Sequence, residues 1–196
     1  YYMPFLSPTI HRTLTHKEDR ELPVADSVPF TAVPQVLTKV PEDFLWAAQV
    51  CADRGYDEVN LNIGCPSGTV VSKGKGSGML SDVYALDAFL EALYAKAALP
   101  ISLKTRIGVN DSENWEKILE IYRDYPVKEL TVHPRIRKAF YKGDCDMDAF
   151  AQAHQYRWQV GMNGRSGGYL VLYEGGIRPT GHRSYCRSCY QRNFKS

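Results

Sequence analysis

The sequence predicts an α/β fold built on a parallel sheet, and three observations carry that prediction. Short β-type runs alternate strictly with amphipathic windows along most of the 196 residues, and such alternation needs crossover connections that lay the strands parallel. Polar residues recur at strand ends: Lys104, His133 and Asn163 are 29 and 30 positions apart, and one βα unit occupies roughly 30 residues. The composition, 44% hydrophobic and 23% charged, is that of a globular domain and excludes a disordered chain, a collagen and a coiled coil.

The elements follow in order. A first apolar run, AVPQVL, predicts a strand over 32–37. Pro41 with Glu42 and Asp43 opens a helix over 42–54, because the fixed proline φ and the acidic first turn both suit a helix start. Gly55 is placed to end it in the left-handed cap conformation. Strands at 58–63, 101–105, 129–133 and 159–163 alternate with helices at 82–97, 112–124 and 146–155, whose apolar residues recur three and four apart. Ser112 with Glu113 marks the start of the helix at 112–124.

Charge and cysteine content narrow the function classes. A net charge of +2 excludes a polycation that holds nucleic acid by bulk electrostatics, so any such binding needs a local patch. No apolar stretch approaches the ~18–20 residues needed to cross a bilayer, and no secretory leader is read, so no membrane association is expected. Five cysteines form an odd set, which suits reduced thiols and a cytoplasmic location. The chain begins at Tyr1 and is read as a processed product or a fragment.

In parallel sheets the carboxyl ends of the strands carry the active site. Gln35, Asn60, Cys65, Lys104, His133 and Asn163 form a polar row along that edge, the bland alternative being that they only satisfy loose backbone groups. The most unusual segment is 60–80, NLNIGCPSGTVVSKGKGSGML. Its glycines relax the steric limits on the backbone, so the loop can approach a ligand closely or move over it. Lys73 and Lys75 suit an anionic backbone. Cys65 lies just past a strand end beside these lysines, where a thiol is better placed for chemistry than in a core. It can donate a proton, or act as a nucleophile if cations activate it. The phosphate-loop patterns GxxxxGK[ST] and GxGxxG are absent.

Three blocks in order, VNLNIGCPSGTVVSKGKGSGML, SLKTRIG and ELTVHPRIRKAFYKG, resemble the tRNA-dihydrouridine synthases, flavin enzymes that reduce uridines in transfer RNA. The resemblance runs from about residue 1 to about 150, with a trace to Asn163-Gly164. It implies a (β/α)8 TIM barrel, FMN as cofactor, NADPH as reductant and tRNA as partner. By the same resemblance Cys65 is the general acid at uracil C5. Gln35, Asn60, Lys104 and His133 would meet the flavin or orient the base, and Asn163 with Gly164 would cradle the FMN phosphate. Arg106, Arg135, Arg137 and Lys138 would lie near the mouth with Lys73 and Lys75 and meet tRNA phosphates. Another FMN barrel, of the dihydroorotate-dehydrogenase type, fits the HPR and FYKG residues less well.

The family barrel has eight units, whereas this chain has room for about six. Tyr1–Phe5 reads as the second strand, so the first and last strands would be missing and two sticky edges left, favouring self-association. The expected organisation is a partial FMN-binding barrel over 1–164 and an atypical basic tail over 165–196, rich in Gly, Arg, Ser and Tyr. A reading-frame change would explain that shift. Within the tail only Tyr169–Tyr173 reads as a strand. Cys186 and Cys189 with His182 fall short of the four ligands of a structural zinc site, so no metal is expected. The reading from a different class is a silent α/β remnant with weak RNA binding.

Overall fold

The computed structural model describes residues 1–155 and 169–172. Six parallel strands form one sheet in chain order: β1 (Tyr2–Leu6), β2 (Val33–Val36), β3 (Val59–Ile63), β4 (Ile101–Arg106), β5 (Glu129–His133) and β6 (Tyr169–Leu172). Strictly sequential parallel order is the order of a (β/α) barrel wall, in contrast to a doubly wound sheet, where the order reverses. The strand expected at 159–163 lies outside the described residues, as do Asn163, Gly164, His182, Cys186 and Cys189. The place beside β5 is taken by β6, with Leu130 paired to Leu170 and Val132 to Leu172.

The helices are α1 (His16–Glu21), α2 (Pro41–Asp53), α3 (Gly68–Val71), α4 (Val83–Tyr94), α5 (Trp115–Arg123) and α6 (Met147–Gln155). Pro41 sits in the first turn of α2. The end of α2 is closed as expected. Gly55 takes φ +83°, its N–H bonds the Ala52 carbonyl, and the Tyr56 N–H bonds the Cys51 carbonyl, which together make a Schellman cap. The third long helix starts later than the Ser112 signal. The Asp111 carboxylate takes the Glu113 N–H at 3.2 Å, a side-chain turn that competes with the first helical turn, and helix begins at Trp115.

The two faces of the sheet differ in kind. Val36, Leu61, Ile63, Leu103 and Val132 point outward onto Phe44, Ala47 and Ala48 of α2, Leu86, Leu90 and Leu93 of α4, and Ile118, Leu119 and Tyr122 of α5, all buried in one core. Each Val, Leu, Ile or Phe side chain among them contributes about 1.5–3 kcal/mol by leaving water. The Trp115 indole N–H donates to the Ala149 carbonyl at 2.8 Å and ties α5 to α6. The inward face carries Gln35, Asn60, Asn62, Ser102, Lys104, Arg106, Glu129, Thr131 and His133, as the period-two alternation requires.

That inward face is curled. The Tyr2 hydroxyl on β1 donates to the Glu129 carboxylate on β5 at 2.6 Å, across 127 residues of chain. In a flat sheet four strand spacings would hold β1 and β5 about 19 Å apart, too far for these two side chains to meet. The bond therefore requires the closing curvature of a barrel. Among the described residues no helix is long and apolar enough to cross a membrane.

Candidate functional site

The site is built from the carboxyl ends of β2 to β5. Gln35 pairs in register with Asn60, Asn60 with Ser102, Asn62 with Lys104, Lys104 with Thr131, and Arg106 with His133. Lys104 and His133 therefore share a face but stand one pleat step apart, which corrects the equivalence that their 29-residue separation suggests. Loop lengths vary between units and barrel strands are staggered, so sequence period and register need not coincide.

A network of amides lies at the base of the site. Gln35 Nε2 donates to Asn60 Oδ1 at 2.9 Å, Asn62 Nδ2 donates to Gln35 Oε1 at 2.7 Å, and Asn60 Nδ2 donates to Ser102 Oγ at 2.9 Å. Asn60 is fully buried, and its amide is spent on Gln35 and Ser102. Gln35 keeps one N–H beyond those spent on the network.

Asn62 is a residue that the sequence reading missed. Its Oδ1 accepts from both the Gly64 N–H at 3.0 Å and the Cys65 N–H at 2.9 Å, which fixes the turn that presents the thiol. The signal was there in the alternation N-L-N: Asn60 and Asn62 are two apart and must share a face. The Cys65 carbonyl in turn accepts from the Ser77 N–H at 3.1 Å and Ser77 Oγ at 2.9 Å. Gly76, at φ +56°, backs onto this residue so tightly that a Cβ there would meet the Cys65 carbonyl oxygen at 2.8 Å. The Gly-rich segment is accordingly packed, with residues 76–80 buried in a 3-10 turn. Gly76 and Gly78 serve close approach within the chain, whereas Gly68 has open space around it.

The half-buried Cys65 thiol is free, and it lies near the Lys104 side chain. Burial, then the cation of Arg106, lowers the hold of Lys104 on its proton, and the Cys65 side chain opposes that shift. His133 is buried at the same end. Arg135 Nη1 lies 3.1 Å from His133 Nε2. A guanidinium can only donate, so this ring nitrogen accepts. Lys104 and His133 thus lie on one face of the sheet, at the end where the Cys65 loop leaves β3.

Two of the expected phosphate contacts are placed otherwise. Arg106 is 1% exposed, and its guanidinium donates to the carbonyls of Gly64 at 3.0 Å, Ile136 at 3.2 Å and Phe140 at 2.7 Å, with the Tyr141 ring 5.4 Å away. It fastens the loop after β3 to the loop after β5. Arg135 is buried as well, donating to the Gly143 carbonyl at 3.1 Å beside its His133 contact. Neither is a surface charge. Arg137 is half-buried against the Pro66 carbonyl and the Phe140 ring. Lys73 and Lys138 are exposed and Lys75 is half-buried. Among the described residues no group of three His, Cys, Asp or Glu side chains could hold a metal ion.

Comparison with known proteins gives this geometry its context. The family described as "Dihydrouridine synthase (Dus)" matches residues 3–164. The chain belongs to that family. Within the dihydrouridine synthases, it is 32% identical over 123 residues to the "Probable tRNA-dihydrouridine synthase" of Staphylococcus epidermidis, covering 63% of this chain and 37% of that protein. It is 33% identical over 107 residues to the "tRNA-dihydrouridine(20/20a) synthase" of Vibrio vulnificus, covering 53% and 32%. A Staphylococcus aureus "Probable tRNA-dihydrouridine synthase" shares 30% over 123 residues. The chain spans about a third of the length of these relatives. The dihydrouridine synthase match takes in every residue of the mouth, from Gln35 to Arg135.

Proposed function

We propose that this chain carries the reaction face of an enzyme that reduces uridine in tRNA to 5,6-dihydrouridine. The single observation that carries this reading is the joint presentation of the Cys65 thiol and the desolvated Lys104 ammonium at one mouth of a curled parallel sheet, in a chain of the dihydrouridine synthase family.

The donor set fits a flavin ring. The Gln35 amide, the Lys104 ammonium and the His133–Arg135 pair line one polar face with hydrogen-bond donors and positive charge, which suits a heteroaromatic ring with carbonyl edges that becomes anionic on reduction. Gln35, Lys104 and His133 would hold the ring, with Asn163 and Gly164, outside the described residues, at its phosphate. FMN held there would supply hydride chemistry towards uracil C6, with NADPH as the reductant that restores it.

The chain's own residues do the rest. Cys65 gives the uracil its proton at C5, general acid catalysis by a group already held in place. Asn62, bonded to the Gly64 and Cys65 amides, fixes the turn that aims the sulfur. Lys104 is a preorganised cation in a partly dry site, where it stabilises negative charge better than in water. Arg106 pins the surrounding loops by their carbonyls. Lys73, Lys75 and Lys138 remain the surface charges that would meet tRNA phosphates, with Arg137 beside them. A cytoplasmic location, expected from the odd set of five cysteines, belongs to this reading.

Cys65→Ala tests the assignment. The variant should retain FMN, read by quenching of flavin fluorescence, and lose dihydrouridine formation on an unmodified tRNA transcript. Full turnover in the variant would remove Cys65 as proton donor. A wild-type chain that stays colourless with added FMN would remove the flavin reading altogether.

A further inference from the structure

We propose that an open cleft beside the Cys65 loop is a seat for the phosphate–ribose backbone of the RNA substrate, with Lys39 acting together with Lys73 and Lys75. The inference rests on the tRNA reading above and adds to it a place and one residue that the sequence did not single out.

The cleft, about 620 Å³, is formed by three successive loops at the carboxyl end of the sheet: Ser7 to Ile10 with Arg12 after β1, Val40 and Asp43 at the start of α2, and Lys73 with Lys75 after β3. The Lys39 ammonium reaches this rim, since a Cβ on Gly74 would lie 3.3 Å from its Nζ. Lys39 and Lys73 are exposed, and among the described residues neither they nor Lys75 make an ion pair. One carboxylate lines the cleft. Asp43 is spent on Arg12 at 3.3 Å, so three lysine charges stay unanswered around an open concavity that also offers the Ser7 and Thr9 hydroxyls.

Charge of this kind, in a groove without a buried polar cradle, suits a polyanion that lies along it better than a small ligand that must be enclosed. The groove is also in the right place. Lys75 adjoins Gly76, whose backbone packs directly on Cys65, so a strand held by these lysines passes next to the thiol. Phosphates flanking the reacting nucleotide would be gripped here while its base enters the mouth.

The test uses the full 196-residue chain and a fluorescein-labelled, unmodified tRNA transcript, with affinity followed by anisotropy between about 50 and 200 mM salt. Lys39→Gln, Lys73→Gln and Lys75→Gln should each weaken binding and lower the slope of log affinity against log salt by about 0.7–0.9. The triple variant should lower it by about 2–3. Lys117→Gln, on the exposed side of α5, should leave affinity and slope unchanged. Wild-type affinity and slope in the triple variant would overturn the inference. So would an equal loss in Lys117→Gln, which would mean diffuse charge. A parallel FMN titration separates the two readings. A chain that takes up FMN but binds the transcript without these lysines loses this inference alone. A chain that binds the transcript through them yet takes no FMN loses the flavin reading alone.

Discussion

Cys51 and Cys65 show how position divides two chemically identical side chains. Cys51, on the buried face of α2, is fully enclosed with Leu22 and Tyr56, and burial pushes its thiol up to about 12. The folded state therefore keeps a proton that the unfolded chain releases above about pH 9. The stability this contributes is fully present below that pH and is lost as pH rises towards 12, by about 1.4 kcal/mol per pH unit. Buried tyrosines such as Tyr122 slope the same way, so Cys51 is isolated by substitution. Cys51→Ala should flatten the alkaline decline by about that slope, measured as urea unfolding free energy from pH 8 upward. An unchanged decline would place the thiol in contact with water. Cys65, by contrast, is half-buried at the mouth with its backbone bonded on both sides, so the protein fixes where its sulfur sits and leaves it within reach.

At the scale of elements, the segment joining β3 to α4 does most to shape the site. Gly76→Ala forces a Cβ into the Cys65 carbonyl at a positive φ, and should cost about 1–3 kcal/mol with a larger loss of dihydrouridine formation than of folded protein. Gly68→Ala, with nothing within 4 Å of a new Cβ, should leave both unchanged. Denaturant unfolding beside a turnover assay checks the pair; equal behaviour of the two variants would refute the packing role. The contrast also shows what could be read in advance. The strands at 101–105 and 129–133, the helix at 42–54 and its Gly55 cap follow from local chemistry, and they match the structure within a residue or two. Gly76 does not, because the neighbour that demands a glycine is eleven positions away. Arg106 and Arg135 were misread for a related reason. A basic side chain defaults to the surface, and the carbonyls of Gly64, Ile136, Phe140 and Gly143 that admit these two to the interior are set by loop paths that no periodicity records.

Across the whole molecule, curvature is what turns six strands into a site. The Tyr2–Glu129 bond spans the inside of the sheet. Burial and the facing carboxylate both push the phenol upward, so it stays the donor. Tyr2→Phe should destabilise the chain by about 1–3 kcal/mol and loosen the curl, read as a lower unfolding midpoint with little change in helix content. A midpoint equal to wild type would mean that the curl is held elsewhere. Because the strands put aliphatic side chains on one surface and amides, ammonium and guanidinium on the other, the two jobs of the sheet are separable. A library that rewrites the inward positions other than Glu129 and Arg106 leaves the outer buttress and the curl untouched, so altered ring or base preferences can be explored on this scaffold without solving its packing again.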